Sequence, residues 1–136
     1  MAVTTGTFRV PIEVGAPRGE RWEPVEALVD TGASYTLLPA SLLDRLGVTR
    51  VRRWPFELAD GHTTEYDIGY ALVRYDGESV PTIVVFGRED VAPILGAYTL
   101  EGLRLAPDPV RRRLIPVPGL LMAHATARLV YRQRPR

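Results

Sequence analysis

The sequence predicts an all-β domain with one or two short helices. Three observations lead there. Apolar residues recur mostly at every second position, the spacing of half-buried strands. The apolar runs are short and are cut by Gly, Pro and Asp-Gly turn signals. Helical spacing appears in only two brief stretches. The chain has 136 residues, enough for one ordinary domain and not comfortably for two.

Each element has its own reason. Phe8, Val10, Ile12 and Val14 alternate with Arg9, Pro11 and Glu13, so a first strand is expected there. Pro11 has no N–H to give a ladder, which places it on an edge or a bulge. Residues 15–19 (GAPRG) read as a turn. Residues 22–30 read as a second strand. Its end, Ala27-Leu28-Val29, is apolar at successive positions, the mark of burial on both faces. Asp30 closes that run, a costly place for a carboxylate.

Residues 39–47 predict a short helix. Leu42, Leu43 and Leu46 share a face, and Gly47 suits a left-handed C-terminal cap. Residues 51–59 read as strand and Asp60-Gly61 as a hairpin turn. Tyr66, Ile68, Tyr70 and Leu72 alternate with Glu65, Asp67, Gly69 and Ala71 as the return strand. Asp76-Gly77 is a second turn signal, 80–86 an apolar strand and 87–93 a polar loop. Ile94-Leu95-Gly96 opens a helical pattern through Leu103. Residues 104–106 and 113–117 flank Pro107-Asp108-Pro109 as a final hairpin. The domain is expected over 1–118, with 119–136 a basic and partly mobile tail.

Composition excludes several classes. The chain has no Cys, hence no disulfide scaffold, thiol nucleophile or Cys-ligated metal. Its two histidines, His62 and His124, lie far apart, so no metal site is expected. All 17 basic residues are Arg, with no Lys or Asn in the chain, which reads as coding bias with a thermal component rather than as function. Residues 1–118 carry 13 Arg against 16 acids, and 119–136 carry 4 Arg and no acid. The main body therefore has no electrostatic footprint for nucleic acid, and the tail reads as solvated. Neither a signal peptide nor an apolar stretch of membrane length is seen. No membrane partner is expected, and a cytoplasmic location is the default.

The chemistry concentrates in Ala27-Leu28-Val29-Asp30-Thr31-Gly32-Ala33-Ser34. A buried strand delivers a carboxylate into a tight turn, and Gly32 lets the backbone turn and another group approach closely. With no metal ligands near it in sequence, Asp30 points to acid–base work. Ile94-Leu95-Gly96 follows 64 residues after Asp30.

With these two motifs the chain resembles the single-domain, retropepsin-like aspartic proteases, as a bacterial-type member. The resemblance runs from Phe8 to about Val117 and rests on element order as well as on the motifs. It implies a closed barrel or sandwich, homodimeric, acting as an aspartic endopeptidase on peptides or unfolded protein, with no cofactor. Asp30 would be the catalytic carboxylate. One such motif in the chain means that the second Asp30 comes from another copy. Thr31 would bond across the two-fold axis, and Gly32 would supply backbone contacts at the site. Ala33 and Ile94 would be among the substrate-binding residues, and Ile94-Leu95-Gly96 would pack beneath the Asp30 turn as support, with part of the S1 wall also open to it. Ala59, Asp60 and Gly61 would sit near the tip of a flap formed by about 56–68. Pepsin-like relatives often carry a hydroxyl at the Ala33 position, so its absence implies a less acidic optimum than pepsin's. Gly96 would allow a close chain crossing. Retroviral members place an ion pair where this chain has Ser34, Tyr35 and Ala97. Residues 113–117 are the candidate dimer strand.

Blander readings stand beside these. Asp30 could simply cap its own turn. The whole could be an inactive dimerisation or protein-interaction module, or more remotely a β-barrel small-ligand binder. His62 reads as an exposed turn residue, Trp22 and Trp54 as packing anchors, and Arg111-Arg112-Arg113 as a solvated turn face. Tyr35 fits a pocket wall and a core position equally.

Overall fold

The computed structural model describes residues 7–119. The described residues form nine strands and two short helices. Strands β1 (Phe8–Gly15) and β2 (Trp22–Val29) form an antiparallel hairpin, with Phe8 opposite Val29 and Gly15 opposite Trp22. Phe8, Val10, Ile12 and Val14 are all buried, as their alternation predicts. Pro11 lies opposite Glu26, where β1 has a single neighbouring strand. Beyond β2, β1 meets another strand only from Glu13 to Gly15, so Pro11 has an open side.

The remaining elements are β3 (Thr36–Pro39), α1 (Ala40–Arg45), β4 (Arg52–Glu57), β5 (Thr63–Tyr75), β6 (Glu78–Gly87), β7 (Ile94–Leu95), α2 (Ala97–Leu103), β8 (Leu105–Asp108) and β9 (Arg113–Pro116). Seven strands make one sheet in the order β1-β2-β7-β3-β6-β5-β4, and β5 also pairs with β1. That last pairing, Glu13 opposite Arg74 and Val14 opposite Val73, closes the sheet into a barrel. Val14, Leu38, Val73, Val84 and Leu95 are fully buried on its strands, and Leu43 is fully buried on α1. Strand β4 is left outside the ring, paired only with β5, so the β4–β5 hairpin projects from the barrel wall.

Several expectations are corrected in detail. Pro39 ends β3 instead of opening the helix, and α1 starts at Ala40. Pro39 offers no side-chain cap. Glu89 supplies one from 48 residues away, accepting from Ser41 N–H at 3.0 Å and Ser41 Oγ at 2.6 Å. Leu42, Leu43 and Leu46 are buried, and Gly47 is left-handed, as expected.

In β5 the expected apolar side fails midway. Ile68 is buried but Tyr70 is 51% exposed, while Gly69, Ala71 and Val73 lie inside. A strict period of two assumes one core face along a strand. Here the first half of β5 carries the β4 hairpin and the second half closes the barrel, so the buried face switches at Ile68–Gly69. The Ala27-Leu28-Val29 run is also only partly sealed: Ala27 and Val29 are buried and Leu28 is half-buried.

The last turn is displaced as well. Pro107 and Asp108 belong to β8, and the turn falls at 109–112. Asp108 sets it, because its Oδ1 accepts the N–H groups of Val110 (3.1 Å) and Arg111 (3.2 Å). Strands β8 and β9 form a separate two-stranded sheet. Among the described residues no helix is long and apolar enough to cross a membrane. The tail expected from 119 lies, beyond Gly119, outside the described residues.

Candidate active site

Strand β2 delivers Asp30 through parallel pairing with β7, Leu28 beside Ile94 and Val29 beside Leu95. Two bonds fix the delivery point. Leu28 N–H donates to Pro93 O (2.9 Å), and Asp30 N–H donates to Leu95 O (3.1 Å). The chain then turns at once. Ala33 N–H bonds back to Asp30 O at 3.1 Å, and Gly32 N–H donates to the Asp30 carboxylate at 2.9 Å. An added Cβ at Gly32 would sit 3.1 Å from that same oxygen, so a side chain there would crowd the carboxylate. Asp30 is half-buried, while Thr31 and Gly32 are exposed. Among the described residues no cation forms an ion pair with Asp30. The backbone is pinned and the carboxylate is left open on one side.

The second motif crosses directly beneath. Ala97 N–H donates to Ala33 O (2.8 Å) and Tyr98 N–H to Ser34 O (3.0 Å). A Cβ on Gly96 would stand 2.5 Å from both C and O of Tyr35 and 3.0 Å from Ala33 O. Gly96 has ordinary extended angles (φ −93, ψ 175), so space rather than conformation demands glycine. Asp30, Thr31, Gly32, Ala33 and Ile94 are thus brought together at one crossing.

A buried hydroxyl chain supports that crossing, and sequence reasoning missed it. Gly96 N–H donates to Thr36 Oγ1 (3.1 Å), Thr36 bonds Thr99 (2.6 Å), and Thr99 bonds Thr82 (2.8 Å). All three threonines are buried. The available signal was a lone hydroxyl inside each of three apolar stretches.

Ala59, Asp60 and Gly61 lie elsewhere, exposed at the tip of the β4–β5 hairpin. Leu58 N–H bonds His62 O (2.7 Å), Gly61 N–H bonds Leu58 O (2.9 Å), and Gly61 takes φ +89. Asp60 accepts His62 N–H at 3.0 Å and faces its Nδ1 at 3.0 Å. The His62 backbone N–H, then its ring, holds the Asp60 carboxyl below its usual range. His62 is an exposed turn residue, as its sequence position suggests.

Aromatic rings join the hairpin to the Asp30 loop. Tyr35 meets Trp54 (5.6 Å between centroids), Phe56 (6.3 Å) and Tyr98 (5.9 Å). On the hairpin, Trp54, Phe56, Thr64 and Tyr66 are half-buried, while Arg53, Pro55, Glu57 and Glu65 are exposed. That alternation turns one hairpin face toward Tyr35. Trp22 is the packing anchor expected of it, with Nε1–H bonded to Gly19 O (3.0 Å) and the Arg74 guanidinium 3.8 Å over its ring. Among the described residues no three His, Asp or Glu side chains gather closely enough to hold a metal ion.

A self-closed barrel with a strand ending in Asp-Thr-Gly, above a glycine crossing, defines the retropepsin-like class. The family profile described as "gag-polyprotein putative aspartyl protease" matches residues 21–102, and the chain belongs to that family. Among solved structures, it is similar to the EIAV protease complexed with the inhibitor HBY-793. That pair shares 19% identity at TM-score 0.51, covering 76% of this chain and 93% of that one. It is also similar to the retroviral protease-like domain of Ddi1 from Leishmania major, again 19% identical at TM-score 0.51, covering 79% and 87%. These likenesses show the fold. No curated protein matches the chain in sequence.

Proposed function

We propose that this chain is one half of an aspartic endopeptidase, completed by a second copy. The observation that carries the proposal is the Asp30 turn: a carboxylate on a fixed backbone, open on one side and free of ion pairs among the described residues. The described residues hold one such turn. Two copies related by a two-fold axis supply two.

Two carboxylates about 3 Å apart cannot both ionise, so the pair keeps one proton and titrates as a unit. The ionised Asp30 takes a proton from water as that water adds to the peptide carbonyl carbon. The protonated Asp30 of the other copy donates to the carbonyl oxygen. In the resulting diol one hydroxyl returns its proton to the other copy's Asp30 as the C–N bond breaks, and the proton first taken from water passes to the leaving nitrogen. Thr31 and Gly32 hold the two loops in register, and Ala33 and Ile94 line the floor. The tip at Ala59, Asp60 and Gly61 covers an extended peptide and limits water. The substrate is a peptide or an unfolded protein segment, and the reaction requires neither nucleic acid nor a membrane.

Asp30→Asn tests this reading. The wild-type protein is expected to cut unfolded polypeptide with a specific activity that rises with protein concentration, and to bind pepstatin-like inhibitors. The variant is expected to cut nothing. If the wild type cuts nothing over a broad pH range and binds no such inhibitor, the reading is wrong.

A further inference from the structure

The inner face of the β4–β5 hairpin carries aromatic surface that the barrel does not use. Besides the contacts of Tyr35, Trp54 meets Phe56 (6.3 Å) and Phe56 meets Tyr66 (6.1 Å), so five rings form one stripe. None of the five belongs to the buried core. Tyr98 keeps 50% of its surface, and the other four are half-buried. A contiguous apolar patch left wet marks a binding surface.

Its position says what binds. Tyr35 follows Asp30 in the same loop, and Tyr98 donates its backbone N–H to Ser34 of that loop. The stripe starts beside the carboxylate's own turn and continues along the hairpin face above it. Its chemistry narrows the choice further. Arg53, Glu57 and Glu65 point to the hairpin's other face. Past Asp30 the loop beside the rings presents Ser34, with Ala97 opposite, and no further charge.

We infer that this ring stripe is a specificity surface, which takes a large apolar or aromatic side chain of the bound polypeptide at a residue outside the pair joined by the cut bond. The inference rests on the proteolytic reading for where the peptide lies, but not for the affinity of the rings. An aromatic side chain gains tilted or edge contacts with the rings. Beside Tyr35 and Tyr98 an acidic one would be desolvated without a partner, whereas Tyr66, at the far end of the stripe, also lines a pocket with Arg50, Arg53 and Arg88.

The test uses unstructured peptides of one common sequence with a central apolar pair. Phe, Ala or Asp is placed in turn at each position outward from that pair. Binding is measured to the Asp30→Asn protein, and cleavage is measured with the wild type. At one position Phe is expected to improve binding over Ala by about tenfold, with Asp weakest. Phe56→Ser and Tyr35→Ser are each expected to collapse the Phe-to-Ala ratio toward one. Tyr35→Phe, which keeps the ring, retains it and serves if the serine variants unfold. Cleavage without a Phe preference, or a preference indifferent to all ring variants, overturns the inference and leaves the protease reading standing. A ring-dependent preference in binding with no cleavage by the wild type upholds the rings as a peptide-binding surface and overturns the protease reading, and with it the placement relative to a cut bond.

Discussion

The floor of the site and the hairpin above it are held by opposite means. Beneath Asp30, backbone bonds from β7 and α2, three buried threonines and an abutting Gly96 fix the chain. Above it, β4–β5 has an exposed tip, half-buried rings and ion pairs on its outer side, where Arg53 reaches Glu65 and Asp67. Two glycines express the difference. Gly96 has ordinary backbone angles and no room for a side chain. Gly61 has nothing within 4 Å of an added Cβ but sits at φ +89. One glycine is required by a distant segment and the other by its own turn. The floor should therefore fail together with the fold, while the cover can change alone.

The largest effect is expected from Gly96→Ala. Its Cβ would meet the Tyr35 backbone, which cannot rotate aside, so about 3 kcal/mol or more should be lost. Urea unfolding would show this as a lower midpoint at unchanged slope. A loss under about 1 kcal/mol would mean that the crossing is loose.

Thr99→Val comes next. It keeps the β-branched shape but removes the hydroxyl shared by Thr36 and Thr82, for a cost of about 1–3 kcal/mol. A neutral outcome would remove the hydroxyl chain from the floor's support.

Gly61→Ala should cost about 1–2 kcal/mol, because an L-residue resists that backbone angle. The cost should be local: amide hydrogen exchange should quicken at 58–62 and stay unchanged in β2 and β7. A global loss as large as that of Gly96→Ala would erase the contrast between floor and cover.

Glu89→Gln is the smallest change and lies at the margin of the floor, where α1 begins. The Ser41 hydroxyl, then the Ser41 N–H, holds the Glu89 carboxyl below its usual range. A carboxyl depressed in the folded state stabilises above its unfolded pKa and loses that contribution as pH falls. Wild type should thus melt slightly above the variant at neutral pH, with the gap closing through the acidic carboxylate range. A gap that persists in acid would contradict this origin.

The same contrast separates what is legible in the sequence from what is not. The floor is legible where it is built from contiguous motifs, and the close crossing at Gly96 is implied by the motif that ends in it. Its hydroxyl chain is not legible, since Thr36 and Thr99 are 63 residues apart and only the fold joins them. The hairpin tip is legible because Asp60-Gly61 carries its own turn chemistry. The ring stripe is not: Trp54 reads as packing, and Tyr35 fits a pocket and a core equally, because partial exposure depends on what faces a ring. The switch at Ile68–Gly69 is hidden because alternation records one face, whereas β5 serves two neighbours in turn. Asp108 shifts the final hairpin because a side chain, not the prolines around it, closes the turn.

The claim that two chains share one site is tested most directly by mixing. Wild-type and Asp30→Asn chains are combined in equal amounts, allowed to exchange, and assayed on unfolded polypeptide at fixed total protein. If each site needs both carboxylates, activity should fall to about one quarter of the wild-type value, the share of wild-type pairs. A fall to only about one half would contradict the claim, because each chain would then carry a complete site.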